Sequence, residues 1–345
     1  MLSVFPLNKG IGHINKDLWI DWISDEISIG CDFNEIEHLF NLAIQDYESI
    51  DLCLLYLEQV IDVYLEAPGI DGVERIRNVF KQINHVMSNH FLGSHLIWNL
   101  YINFELDLPD ITEKDVETIR KSYHERLKIP HADLESTFTD YSSFETRFDQ
   151  GSYIANLKSA TVIVTKTRTE CNRLDIQEEY LTQSGMSVVQ YLEYIRIEQS
   201  QKRLNRDRVK VLHERAISSN LNCLDPVIWQ SYIIYQFPNN YQIAKRAVRN
   251  CMCSHEIWSH YIMIKSKTEG LESITEDFNT AVAFISALQD VEQITGFLKN
   301  RIFIELNMQD QSKLRDSFNQ LVKNCLLITQ GCTYFLTKFL PLTLP

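Results

Sequence analysis

Glycine and proline are scarce in this chain, 11 and 8 of 345 residues. Their combined share is under half of the usual ~12%. β-sandwiches and barrels turn every few residues and draw on Gly and Pro to do so, so those classes are disfavoured. No run of 18 apolar residues occurs, and no membrane span is expected. The opening Met1–Pro6 has neither a basic segment nor an apolar segment of the secretory kind. Cysteine is present eight times but scattered from Cys31 to Cys332, which suits buried thiols in a reducing compartment better than a disulfide framework. Positive charge is nearly absent from the first 66 residues, where thirteen Asp and Glu face only Lys9 and Lys16. That segment carries -11 of the net -13, so bare duplex nucleic acid is a poor partner for it. It is read as a solvated acidic face, or as a docking surface for a basic partner.

Catalytic and metal-binding patterns are also wanting. His124-Glu125-Arg126-Leu127 and His213-Glu214-Arg215-Ala216 begin like a zinc-protease motif, but each lacks the second His one helical turn on. Cys251-Met252-Cys253-Ser254-His255 supplies three soft ligands, whereas a closed zinc site needs four. His85, His90 and His95 are spaced by five and scatter around a helix, so they are expected in loops or caps. Lys9-Gly10-Ile11-Gly12 is too short for a phosphate loop. No catalytic, cofactor or metal site is expected, and the chain reads as a non-enzyme.

What is present is a repeat of aromatic residues. All five tryptophans fall into one pattern: aromatic, aromatic three residues on, then a mostly polar residue four further on. The copies are Trp19/Trp22/Glu26, Trp98/Tyr101/Glu105, Phe138/Tyr141/Glu145 and Tyr191/Tyr194/Glu198. Trp229/Tyr232/Gln236 and Trp258/Tyr261/Lys265 continue it, and Cys53/Tyr56/Val60 and Ile294/Phe297/Arg301 are degenerate copies. Positions i, i+3 and i+7 share one stripe of an α-helix, so the rings are expected to stack along it and bury against a partner helix. The polar third position is costly on a buried stripe unless paired. Glu105 and Glu198 are therefore expected to meet Arg side chains of neighbouring second helices. Those second helices are read at 73–80, 119–127, 209–217, 243–248 and 314–318, with an Arg or Lys skeleton that includes Arg126 and Arg215. Small Ala216 and Ala247 permit close helix approach. One hairpin cannot bury its own stripe, so neighbours must stack, and an all-α solenoid follows.

The Trp-x2-Tyr-x3-Glu first helix, followed by an Arg-bearing second helix, resembles the half-a-TPR (HAT) repeat. The run Arg126-Leu127-Lys128-Ile129-Pro130 and the pattern Thr137-Phe138-x2-Tyr141-x2-Phe144 resemble the N-terminal HAT region of the U4/U6 snRNP recycling factors. The resemblance covers roughly 15–325. It implies a TPR-like α-α superhelix of about seven to eight HAT hairpins in two lobes. It implies a nuclear, non-catalytic scaffold in pre-mRNA splicing, with spliceosomal snRNP proteins as partners. A homodimer through the C-terminal lobe is a further implication. Contact with U6 or U4/U6 snRNA would be indirect or run through RNA recognition motifs, whose aromatic signature this sequence lacks. The alternatives are a HAT scaffold of pre-mRNA 3′-end cleavage and polyadenylation, or a general TPR-like docking module.

The expected organisation is a leader at 1–14, N-terminal repeats at 15–150, a long helix or connector at 151–182, C-terminal repeats at 183–325 and an apolar tail at 326–345. The most basic stretch runs from Arg196 to Arg215, with seven Lys and Arg against three carboxylates. Lys202, Arg203 and Arg206 fall in a turn between helices and are expected to be exposed. They form either a solvated turn or a salt-sensitive contact with RNA or an acidic partner.

Overall fold

The computed structural model describes residues 15–66, 70–219, 221–287 and 290–307. The expected leader, the second helix at 314–318 and the tail at 326–345 lie outside the described residues. Among those described there are fifteen α-helices, two short 3-10 turns and no strand. The first four hairpins pair α1 (Lys16–Ile29) with α2 (Phe33–Asp46), α3 (Ile50–Glu66) with α4 (Ile70–Met87), α5 (Ser94–Asp107) with α6 (Glu113–Lys128) and α7 (Leu134–Phe148) with α8 (Tyr153–Gln183). Three more pair α9 (Val188–Gln199) with α10 (Arg206–Ile217), α11 (Pro226–Tyr235) with α12 (Tyr241–Asn250) and α13 (His255–Glu269) with α14 (Thr275–Ala287). The last helix, α15 (Val291–Asn307), begins an eighth. Every aromatic pair of the repeat sits in the first helix of a hairpin.

Two compact units divide the chain, Ile14–Asn222 and, over the described residues, Cys223 onward. This division differs from the lobes expected at 151–182, because that segment lies inside the first unit as a single 31-residue helix. The Ala160–Thr169 stretch is rich in β-branched residues and has modest helix propensity. Burial overrides it: Ala160, Val164, Thr167, Cys171, Leu174, Glu178 and Leu181 recur at alternating steps of four and three along one buried stripe. That stripe packs on α6 and α7, and the Thr167 hydroxyl donates to the Leu127 carbonyl at 2.7 Å.

Local signals set the helix ends. Asn15, Asp32, Asn205, Asp225 and Ser254 each accept a backbone N–H at a helix start. Thr112 and Asp115 close a reciprocal capping box on α6. Gly30 ends α1 at φ 79°, a left-handed conformation that favours glycine.

Within hairpins the aromatic stripe behaves as a core. Trp19, Trp98, Tyr101, Tyr141, Tyr191, Tyr194, Trp229, Tyr232, Trp258 and Tyr261 are all buried. Trp19 stacks on Trp22 with centroids 5.4 Å apart. Tyr101 stacks instead on Phe80 of the preceding second helix at 3.6 Å, and Trp98 meets the same ring. Phe138 and Trp22 depart from the expectation and are only half-buried. In α7 the buried stripe runs through Thr137, Tyr141 and Phe144, which leaves Phe138 on its edge.

Candidate partner-binding surface

The third repeat position is where the stripe becomes polar, and there a ladder of ion pairs crosses from hairpin to hairpin. Glu105 of α5 is buried and takes two bonds from Arg77 of α4, Nε at 2.8 Å and a terminal nitrogen at 2.7 Å. Tyr101 donates its hydroxyl to the same carboxylate. Glu145 of α7 takes Arg120 of α6 at 2.7 Å and Asn156 of α8 at 2.8 Å. Glu198 of α9 lies between Arg173 of α8 at 2.7 Å and Arg208 of α10 at 3.1 Å. In each case the first-helix carboxylate is held by the second helix before it. A parallel rung joins second helices: Arg215 of α10 grips Glu178 of α8 at 2.6 and 2.7 Å. In the seventh hairpin the charges reverse, with Lys265 of α13 on Asp277 of α14 at 2.6 Å. In the first, Glu26 accepts instead from the Trp22 indole and the Cys31 thiol. Arg126 is buried and donates to the Ser94 hydroxyl at 2.9 Å.

Glu105, Glu145 and Glu198 stand out in the sequence, whereas Arg173 and Glu178 are hidden in the long helix, where the Arg skeleton is not regular. A signal was available. Arg173 precedes Glu198 by 25 residues, as Arg120 precedes Glu145.

Beside the Glu198 rung lies the turn between α9 and α10. Asn205 fixes it, accepting from the Arg208 backbone at 3.0 Å and donating to the Asn89 side chain at 2.8 Å. Lys202, Arg203 and Arg206 are exposed there and, with Glu170 and Glu198 beneath, line a depression of about 950 Å³. Glu170 is spent on Arg173 and Arg208, at 2.8 and 2.6 Å. The Arg173 guanidinium, reinforced by Arg208, holds the Glu170 carboxyl down to about 2. The three outer cations thus stand over neutralised ion pairs beside one exposed carboxylate, Asp207. Such a surface favours phosphate or carboxylate groups of a partner.

The depressed Glu170 carboxyl carries a pH signature. Its contribution to stability is present in full above its ordinary value of 4.5 and is lost as the pH falls to about 2. Glu170→Gln is expected to lower the urea midpoint at pH 7, with a deficit that shrinks between pH 4.5 and 2. A deficit independent of pH contradicts this assignment.

The histidines and cysteines of the rival patterns fall among the described residues. His213 is fully buried, bonded to the Val209 carbonyl at 2.9 Å, and desolvation pushes it down to about 4. His124 meets the Tyr141 hydroxyl at 2.9 Å. His90 accepts from the Gly93 backbone at 3.0 Å ahead of α5. Cys251 is buried, Cys253 is exposed, and His255 is engaged by Gln293 at 2.5 Å. No cluster of three metal-ligating residues occurs among the described residues. Nor is any described helix long and apolar enough to cross a membrane.

Stacked helical hairpins with an aromatic stripe in each first helix and a carboxylate–guanidinium ladder between them define an all-α solenoid scaffold of the half-a-TPR kind. The chain belongs to the suppressor of forked protein (Suf) family, whose profile matches residues 11–293. It is 25% identical over 343 residues to the human protein called spliceosome associated factor 3, U4/U6 recycling protein, covering 94% of this chain and 33% of that one. The mouse protein of the same name is 26% identical with the same coverage. The zebrafish protein is 25% identical over 353 residues, 93% of this chain and 35% of that one. The chain therefore spans about a third of the length of these relatives. The solved structure of CstF-77 shares the fold, with a TM-score of 0.53 at 14% identity over 89% of this chain and 81% of that chain.

Proposed function

We propose that this chain is a non-catalytic scaffold of pre-mRNA splicing that holds spliceosomal snRNP proteins during U4/U6 assembly or recycling in the nucleus. The observation that carries the reading is the alignment of 94% of the chain with relatives named for U4/U6 recycling. The fold supports it in kind, because stacked hairpins offer extended surface for several partners at once. Self-association through residues 183–325 belongs to the same reading. RNA would be met through a partner carrying RNA recognition motifs, with Lys202, Arg203 and Arg206 adding a salt-sensitive contact.

Purified chain and purified U4/U6 snRNP, co-sedimented at low and moderate salt, test this. The wild-type chain is expected to travel with the particle and to be lost as salt rises. The triple variant Lys202→Glu, Arg203→Glu, Arg206→Glu is expected to bind at least about tenfold more weakly with an unchanged urea midpoint, since all three side chains are exposed. Wild-type chain left at the top of the gradient at low salt overturns the proposal. Triple-variant binding equal to the wild type removes the basic turn from it.

A further inference from the structure

The first helices α5 and α7 do not close on each other. Between them, over the α6 ring of Tyr123, runs a groove of about 310 Å³. Ile102, Tyr123 and Phe144 are buried residues that contribute an apolar lining. Asn99 and Asn103 line it from α5, and Asp140 and Arg147 from α7. These four side chains spend no hydrogen bond or ion pair on any described residue; Arg147 only overlies the Phe148 ring, 4.9 Å from its centroid. Elsewhere in this unit the buried carboxylates of α5, α7 and α9, Glu105, Glu145 and Glu198, are taken up by the ion-pair ladder. Here two carboxamides, a carboxylate and a guanidinium line one apolar groove without internal partners.

The spacing of the carboxamides has a chemical meaning. Residues i and i+4 on a helix are separated by ~6 Å along the axis. Two residues of extended peptide advance ~6.6–6.8 Å. A carboxamide offers one acceptor and two donors, so Asn99 and Asn103 match successive outward-facing N–H and C=O groups of an extended chain. The groove has room for one or two side chains, near the lower limit of ligand pockets, ~300 Å³. Its single cation, Arg147, calls for a carboxylate. One guanidinium opposite an unpaired Asp140 is a poor match for a polyphosphate backbone, which favours peptide over RNA.

We propose that the α5–α7 groove docks an extended peptide segment of a protein partner, seating an apolar side chain against Ile102, Tyr123 and Phe144 and an acidic side chain on Arg147. Backbone groups of the segment bond to Asn99 and Asn103. Asp140, exposed on α7 along the groove, accepts a further peptide N–H. This surface is independent of the basic turn and of the splicing assignment.

The test uses an array of one host peptide in which two central positions are varied through all amino acids, probed with the full chain. Retention is expected to favour a large apolar residue beside Asp or Glu. Arg147→Glu is expected to weaken those peptides about tenfold and move the preference to Lys or Arg. The double variant Asn99→Leu, Asn103→Leu should lose retention of all of them. Arg147 is exposed, so its variant should unfold at the parent urea concentration. No retention, retention blind to composition, a preference unchanged in Arg147→Glu, or peptides displaced by a short oligouridine at equal concentration would each overturn the proposal.

Discussion

Trp229→Ala is expected to destabilise the second unit by about 3–5 kcal/mol. The indole is fully buried, and Arg246 lies over its ring with the guanidinium carbon 5.6 Å from the centroid. Its Nε1 donates to the Cys223 carbonyl at 2.7 Å, six residues upstream. Trp258 repeats this contact one hairpin later, donating to the Met252 carbonyl at 2.7 Å. The ring therefore does two things: it fills the core and it fastens the segment that enters its own helix. Trp229→Phe keeps much of the apolar volume and removes the donor. It should cost less than the alanine variant, yet more than a volume-conserving swap, because the buried carbonyl then keeps only the weak Cys251 thiol donor at 3.6 Å. Urea unfolding of both variants reads the difference. A Trp229→Ala cost below about 1 kcal/mol would mean the stripe is not the core of the hairpin.

Glu198→Ala has an effect of similar size in the first unit. Its carboxylate is 2% exposed and is shared by Arg173 and Arg208. Removing it leaves the 7% exposed Arg208 with only the more exposed Glu170 for compensation. Breaking a buried pair in this way typically costs about 3–5 kcal/mol. Replacing Arg208 and Glu198 together by Leu and Met should cost less than the single change, since no buried charge is then orphaned. Additive costs in that double variant, read from urea midpoints, would count against the rung as a coupled unit.

The aromatic stripe was legible in the sequence because an i, i+3 spacing of large rings has few uses other than a helix–helix core. Its eight copies fall in the eight first helices. The carboxylates at the third position were legible for the same reason: Glu105, Glu145 and Glu198 are polar on a stripe that must be buried, so each required a partner. The partners were harder to read, because an ion pair between hairpins depends on stacking that no single helix encodes. Arg173 and Glu178 lie in a helix whose length hides the repeat. The unit boundary after Asn222 falls in the short segment ahead of Pro226, whereas the long helix expected at 151–182 lies inside the first unit. Phe138 shows the limit of spacing alone: the buried stripe of α7 runs through Thr137, Tyr141 and Phe144 and leaves the ring at its margin. Of the candidate contact surface, the exposure of Lys202, Arg203 and Arg206 followed from their place in a turn. The α5–α7 groove did not, because its residues come from two hairpins and none of them is unusual by itself.

The most direct measurement is to immunoprecipitate the tagged endogenous protein under mild salt and sequence the bound RNA. Enrichment of U4 and U6 over other small RNAs is the predicted result. Enrichment of pre-mRNA 3′ ends instead, or recovery of no RNA above background, would contradict the splicing assignment.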